Sequence, residues 1–148
     1  SADVTVNGIY YAPTCVIALC FFIGSAMGAW APDWMEGVLF INGDRRSLIP
    51  HRTLTHTVAI WVCLVAGAGG LIYWVDVPWT YMMAWLFLGF ALAGLLHVVI
   101  DMLSPTGVPV VKPFGARVSF RVYRTGGISE LLVIFPVILV SVVLVRFL

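Results

Sequence analysis

From Trp79 to Leu103 the chain has no charged residue before Asp101 and no histidine before His97. An apolar run of that kind is long enough to cross the roughly 30 Å of hydrocarbon that about 20 helical residues span. In lipid its backbone polar groups must be satisfied within the segment, which selects the helix. Three further runs repeat the pattern, Ala12 to Trp30, Thr57 to Trp74 and Ser129 to Phe147, and the connections between them are short. The sequence therefore predicts an all-α fold. Residues 1–148 form one domain, a polytopic membrane bundle of about four transmembrane helices with short interfacial loops.

Composition agrees. The chain is 61% hydrophobic and 10% charged, where an ordinary soluble domain carries about 25% charged residues. Eight Lys and Arg against seven Asp and Glu give a net charge of +1, so no polyanion-binding surface is available and nucleic acid is excluded as a partner. Membrane lipids are the expected surroundings. The segment before Ala12 contains no Lys or Arg and does not read as the basic region of a signal peptide. Cys15, Cys20 and Cys63 lie in apolar runs without CxxC spacing and read as small buried hydrophobes.

Small residues recur where helices would meet: Gly24 and Gly28, Gly67 and Gly70, Gly89 and Ala93. In lipid, where apolar side chains gain little by meeting one another, such positions let backbones approach and supply the packing. Pro136 predicts a kink in the fourth run. Arg45, Arg46 and Arg52 fall between the first two runs, and Lys112, Arg117, Arg121 and Arg124 between the last two. The positive-inside rule places both loops in the cytoplasm. From Val118 to Arg124 apolar and polar residues alternate, as in a short strand or a segment lying on the membrane surface.

The ionisable residues of the apolar runs gather at that same end. Asp33 and Glu36 follow the first run, His51, Arg52 and His56 precede the second, His97 and Asp101 close the third, and Glu130 opens the fourth. His97 and Asp101 stand at i, i+4 and so share a helix face. Asp33 and Glu36, at i, i+3, share one if the segment after Pro32 is helical. His51 and His56 are five apart, which puts His51 before the helix, with Thr53 or Thr55 near the N-cap. Imidazoles with carboxylates suit zinc, manganese or iron. The number of candidates suits one divalent ion, zinc or manganese, or a two-metal centre.

Two stretches carry a family resemblance. His51-Arg52-Thr53-Leu54-Thr55-His56 resembles an HRxxTH signature, and His97 to Pro109 resembles an HxxxDxLTPxGVP signature. Both belong to the YdjM-like inner-membrane proteins, predicted metal-dependent hydrolases. The likeness runs from about Gly24 to Glu130 and includes Gly127 and Glu130 of a Gly-x-x-Glu element. Met35 stands where the family often has a second Asp after Pro-Asp, and no histidine precedes His51.

The resemblance implies a membrane-bound hydrolase in which a metal activates water against an ester or phosphoester. In that reading His51, His56, His97, Asp101 and Asp33 hold the metal. Glu130 and Glu36 act as ligands or proton-transfer groups, and Arg52 holds a substrate phosphate or fixes a carboxylate. A basic rim beside apolar residues at the cytoplasmic interface favours a lipid or other amphiphile as substrate. The alternative is a non-enzymatic scaffold or assembly subunit, with a membrane-protein partner, whose polar cluster is a structural metal site or a hydrogen-bond centre holding the helices together. Transport ranks below both, because the ionisable residues stop at one end and do not continue to the midplane.

Overall fold

The computed structural model describes residues 3–6, 9–41, 44–50, 52–74 and 77–122. Helices dominate it: α1 (Thr14–Gly28), α2 (Ala31–Trp34), α3 (Val58–Trp74) and α4 (Pro78–Met102). Prolines set the boundaries of several of them. Pro13 precedes α1, and Pro32 and Pro78 occupy the first turns of α2 and α4, where the missing N–H would have had no helical partner.

Of the described helices, α4 alone is long and apolar enough to cross a membrane, while α1 and α3 are apolar but shorter, at 15 and 17 residues. The first predicted run is cut at both ends, because Ala12 and Pro13 pair as strand and the chain turns at Ala29 and Trp30. The fourth run, with Pro136, lies outside the described residues, and so do His51, Arg124 and Glu130.

The fold is mostly helical, as expected, and the described residues add three short two-stranded antiparallel sheets. They are β1 (Asp3–Val6) with β2 (Ile9–Pro13), β3 (Val38–Ile41) with β4 (Asp44–Ser47), and β5 (Val108–Pro109) with β6 (Arg117–Val118). The first precedes α1, the second lies between α2 and α3, and the third follows α4. Of the alternating stretch from Val118 to Arg124, Val118 alone among the described residues belongs to a strand. Arg121 then breaks the alternation with a φ of +52°.

Helix α4 is the axis against which α1 and α3 pack. A Cβ on Gly24 would fall 1.9 Å from the Leu86 carbonyl oxygen, one on Gly28 2.1 Å from that of Phe90, and one on Gly89 2.2 Å from that of Phe21. The α1–α4 contact is thus backbone against backbone, as the glycine spacing predicted. Gly67 and Gly70 differ, since a Cβ there would meet nothing within 4 Å. On the other side of α4, Gly94 leaves room for the Trp61 ring, which is 2% exposed. The cysteines also depart from expectation: Cys15 and Cys63 are exposed and Cys20 is half-buried, on apolar helices whose outward faces suit lipid.

Candidate metal centre

The last turn of α1, the start of α3 and the last turn of α4 meet at one end of the bundle, over a buried cluster of Ala31, Trp61, Val98 and Val108. The approach to α3 is wound tightly. Thr57 Oγ1 donates to the Thr53 carbonyl at 2.8 Å, and Trp61 Nε1 donates to the Thr55 carbonyl at 2.6 Å. The Ala59 N–H, one of the donors a helix start leaves without a helical partner, bonds the Val110 carbonyl at 2.9 Å. Helix α3 begins at Val58, so Thr53 and Thr55 sit in the turn before it and not at the N-cap. This turn carries His56 inward, where it is fully buried.

Asp33, His56 and His97 each offer a donor atom within 4.8 Å of the others, and they are the one such group among the described residues. His56 Nε2 lies 3.4 Å from Asp33 Oδ1 and 3.4 Å from Asp101 Oδ2. His97 Nε2 lies 3.7 Å from Asp33 Oδ2 and 3.9 Å from Asp101 Oδ2. The two rings stand 5.6 Å apart at 64°. Four of the predicted site residues are therefore brought together. The i, i+4 pair His97 and Asp101 shares one face of α4, as its spacing implied.

The opposite nitrogens of both rings are held by acceptors. His97 Nδ1 lies 2.8 Å from the carbonyl oxygen of Ala29, the residue capping α1. His56 Nδ1 lies 3.2 Å from Glu36 Oε1 and 3.0 Å from Thr55 Oγ1. With a proton on each Nδ1, each Nε2 presents a lone pair to carboxylate oxygens that are acceptors as well. Acceptors gathered in this way repel unless a cation or a proton lies among them.

Asp33 and Glu36 separate to the two sides of His56, because α2 ends at Trp34 and Glu36 lies in the following turn. Asp33 faces Nε2, and Glu36, 1% exposed, sits behind the ring. Glu36 thus orients an imidazole instead of sharing a face with Asp33.

Arg52 takes a left-handed conformation, φ +57°, a backbone state that persists in a non-glycine residue only where its surroundings hold it. Three bonds do so here. Its N–H donates to Glu36 Oε1 at 3.0 Å, Nη1 to Ser104 Oγ at 2.7 Å, and Nη2 to Asp101 Oδ1 at 2.9 Å. Of the two roles expected for Arg52, the geometry matches fixing a carboxylate, since both terminal nitrogens are already engaged.

Sequence reasoning gave Thr55 only a place near a helix cap and passed over Ser104, Trp61 and Ala29. Thr55 and Ser104 lie inside the two motifs and were reachable from them. Trp61 reads as an ordinary apolar helix residue, and Ala29 contributes only a main-chain oxygen.

The model of the YdjM inner membrane protein family matches residues 10–147. No curated protein and no solved structure matches the chain.

Proposed function

Since the chain belongs to the YdjM inner membrane protein family, and so is a protein of the inner membrane, we propose that it is a metal-dependent hydrolase working where the bilayer meets the cytoplasm. Its substrate class is an ester or phosphoester of a lipid or other amphiphile. The observation that carries this reading is the pair of imidazoles whose Nδ1 atoms are engaged by Ala29 and Glu36, with both Nε2 atoms turned towards Asp33 and Asp101.

The donor set fits a divalent cation. Tetrahedral ligands about 2.0–2.2 Å from zinc are about 3.3–3.6 Å apart, close to the 3.4 Å separations of His56 from Asp33 and Asp101. Charge fits as well. Asp33 and Asp101 would balance the ion, Asp101 sharing its charge with the Arg52 guanidinium, while Glu36 accepts the Arg52 main-chain N–H. Manganese is compatible with the same donors. A second ion would need ligands beyond this group, for which His51 and Glu130 remain the sequence candidates.

An ion held there would supply the Lewis acidity that activates water and polarises an ester oxygen. The chain's own residues supply placement. Glu36 and the Ala29 carbonyl fix the imidazoles, and Arg52 and Ser104 fix Asp101. Access comes from one side, since the Asp33 side chain is 46% exposed and that of His97 22%, against 0% for His56. A closed structural site has no such face, and the exposed Asp33 is the carboxylate in reach of water and substrate. The scaffold reading draws on a different fact, that the same contacts tie α1, the turn before α3 and α4 together.

The deciding experiment is elemental analysis of the protein purified in detergent, with a phospholipid hydrolysis assay. The hydrolase reading expects stoichiometric metal, lost when His97 and Asp101 are both changed to Ala, and turnover that disappears with it. Metal-free protein would defeat the hydrolase reading and leave the scaffold, held by its hydrogen bonds alone. Bound metal without turnover of any ester would leave the scaffold.

A further inference from the structure

Arg52 is buried, at 8% exposure, with Nη1 on Ser104 and Nη2 on Asp101, so a substrate phosphate arriving from outside needs positive charge from elsewhere. The chain that leaves α4 offers it. Between Asp101 and Glu130 the sequence has no acidic residue. Lys112, Arg117 and Arg121 are all exposed. Large apolar side chains are exposed among them, with Phe114 at 78% and Phe120 at 61%.

This segment is fastened to the centre. Ser119 Oγ donates to the Ser104 carbonyl at 2.6 Å, the Phe120 N–H to that of Met102 at 3.0 Å, and the Val122 N–H to that of Leu103 at 2.8 Å. It thereby engages carbonyls at the end of α4 that have no helical partner. Ser104 in turn bonds Arg52 and the Asp101 carbonyl, so Ser119 is one residue removed from a candidate ligand. Arg121, with φ +52°, lies between the two tethered residues and is exposed.

We propose that residues 108–122 form a binding surface for anionic phospholipid, with Lys112, Arg117 and Arg121 meeting headgroup phosphate and Phe114 and Phe120 entering the acyl boundary. Charge complementarity selects this occupant: cations interleaved with exposed aromatic and aliphatic side chains are the composition that seats in an anionic leaflet. The proposal rests on the hydrolase reading for its consequence, which is that the substrate is an anionic lipid presented beside Asp33. The surface itself is testable without activity.

The test is a titration of the full chain in dodecyl maltoside with phosphatidylglycerol or phosphatidylcholine, following the thermal unfolding midpoint and bound metal. Each basic residue near an anionic surface is worth roughly a fivefold change in affinity. The native chain should therefore prefer phosphatidylglycerol by one to two orders of magnitude, with the preference shrinking as salt is raised. The triple variant Lys112→Gln, Arg117→Gln, Arg121→Asn should lose the preference and keep its metal; Asn is chosen because it tolerates the left-handed backbone. Lys112→Arg with Arg117→Lys should retain the preference, which separates charge from folding. Equal response of the native chain to both lipids, or a preference that survives in the triple variant, overturns the proposal. Absence of metal or turnover bears on the hydrolase reading alone and leaves the lipid preference to be read independently.

Discussion

His97 Nδ1 lies 2.8 Å from the carbonyl oxygen of Ala29, so the end of α1 fixes the orientation of a ring carried by α4. The glycine contacts of Gly24 and Gly28 with α4 bring that carbonyl within reach. Packing of the two helices and the chemistry of the imidazole are therefore one arrangement, and disturbing either reaches the other.

Glu36 performs the matching task for His56, and its replacement separates charge from shape. Glu36→Gln keeps an oxygen for the Arg52 N–H but removes the charge behind the ring. Metal affinity should fall about 10–100-fold, the usual effect of losing a group that orients a ligand. Competition against a chelator of known affinity measures it, and an unchanged constant would show that the carboxylate is not coupled to the site.

Arg52→Lys should be poorly tolerated. One ammonium cannot reproduce the fork that reaches Ser104 and Asp101 together. A buried charge that loses its partner costs about 3–5 kcal/mol, and a lysine that keeps one of the two contacts should cost about half of that. Denaturation in detergent reads the loss. Arg52→Gly relieves the φ of +57° yet should be worse than Lys, because Asp101 and Ser104 then lose the guanidinium that holds them.

The glycines of α1 and α3 should respond oppositely to the same change. Gly28→Ala places a Cβ 2.1 Å from the Phe90 carbonyl oxygen and should destabilise the bundle by about 1–3 kcal/mol or more. Gly67→Ala and Gly70→Ala meet nothing within 4 Å and should be neutral or stabilising by up to about 1 kcal/mol. Unfolding midpoints of the three variants, compared in one detergent, decide this.

Removal of metal should lower the unfolding temperature, since an ion that binds only the folded chain adds about 2.7 kcal/mol when present at 100 times its dissociation constant. Chelator should shift the native protein and leave His97→Ala unmoved. An equal shift in both would place any stabilising ion away from His97.

The sequence came close to the helices because apolar length and glycine spacing are properties of a segment read along itself. Thr57 to Trp74 and Trp79 to Leu103 match α3 and α4 to within a residue. His97 and Asp101 were paired correctly for the same reason, as i, i+4 neighbours are neighbours in any helix. Local spacing misled at Asp33 and Glu36, where a helix of only four residues sends the two carboxylates to opposite sides of His56. It also gave no sign that Arg45 and Arg46 belong to a strand or that Arg121 takes a positive φ.

By itself, then, the sequence determined the solvent, the apolar helices, the end at which polar residues collect, and the family. The tertiary structure alone decided which nitrogen of each histidine faces the carboxylates, because that choice depends on the Ala29 carbonyl and on a Glu36 reached through a turn. Every residue has a main-chain carbonyl, so its role leaves no mark in the order of amino acids. It acquires one only when helix crossing brings it to a particular ring.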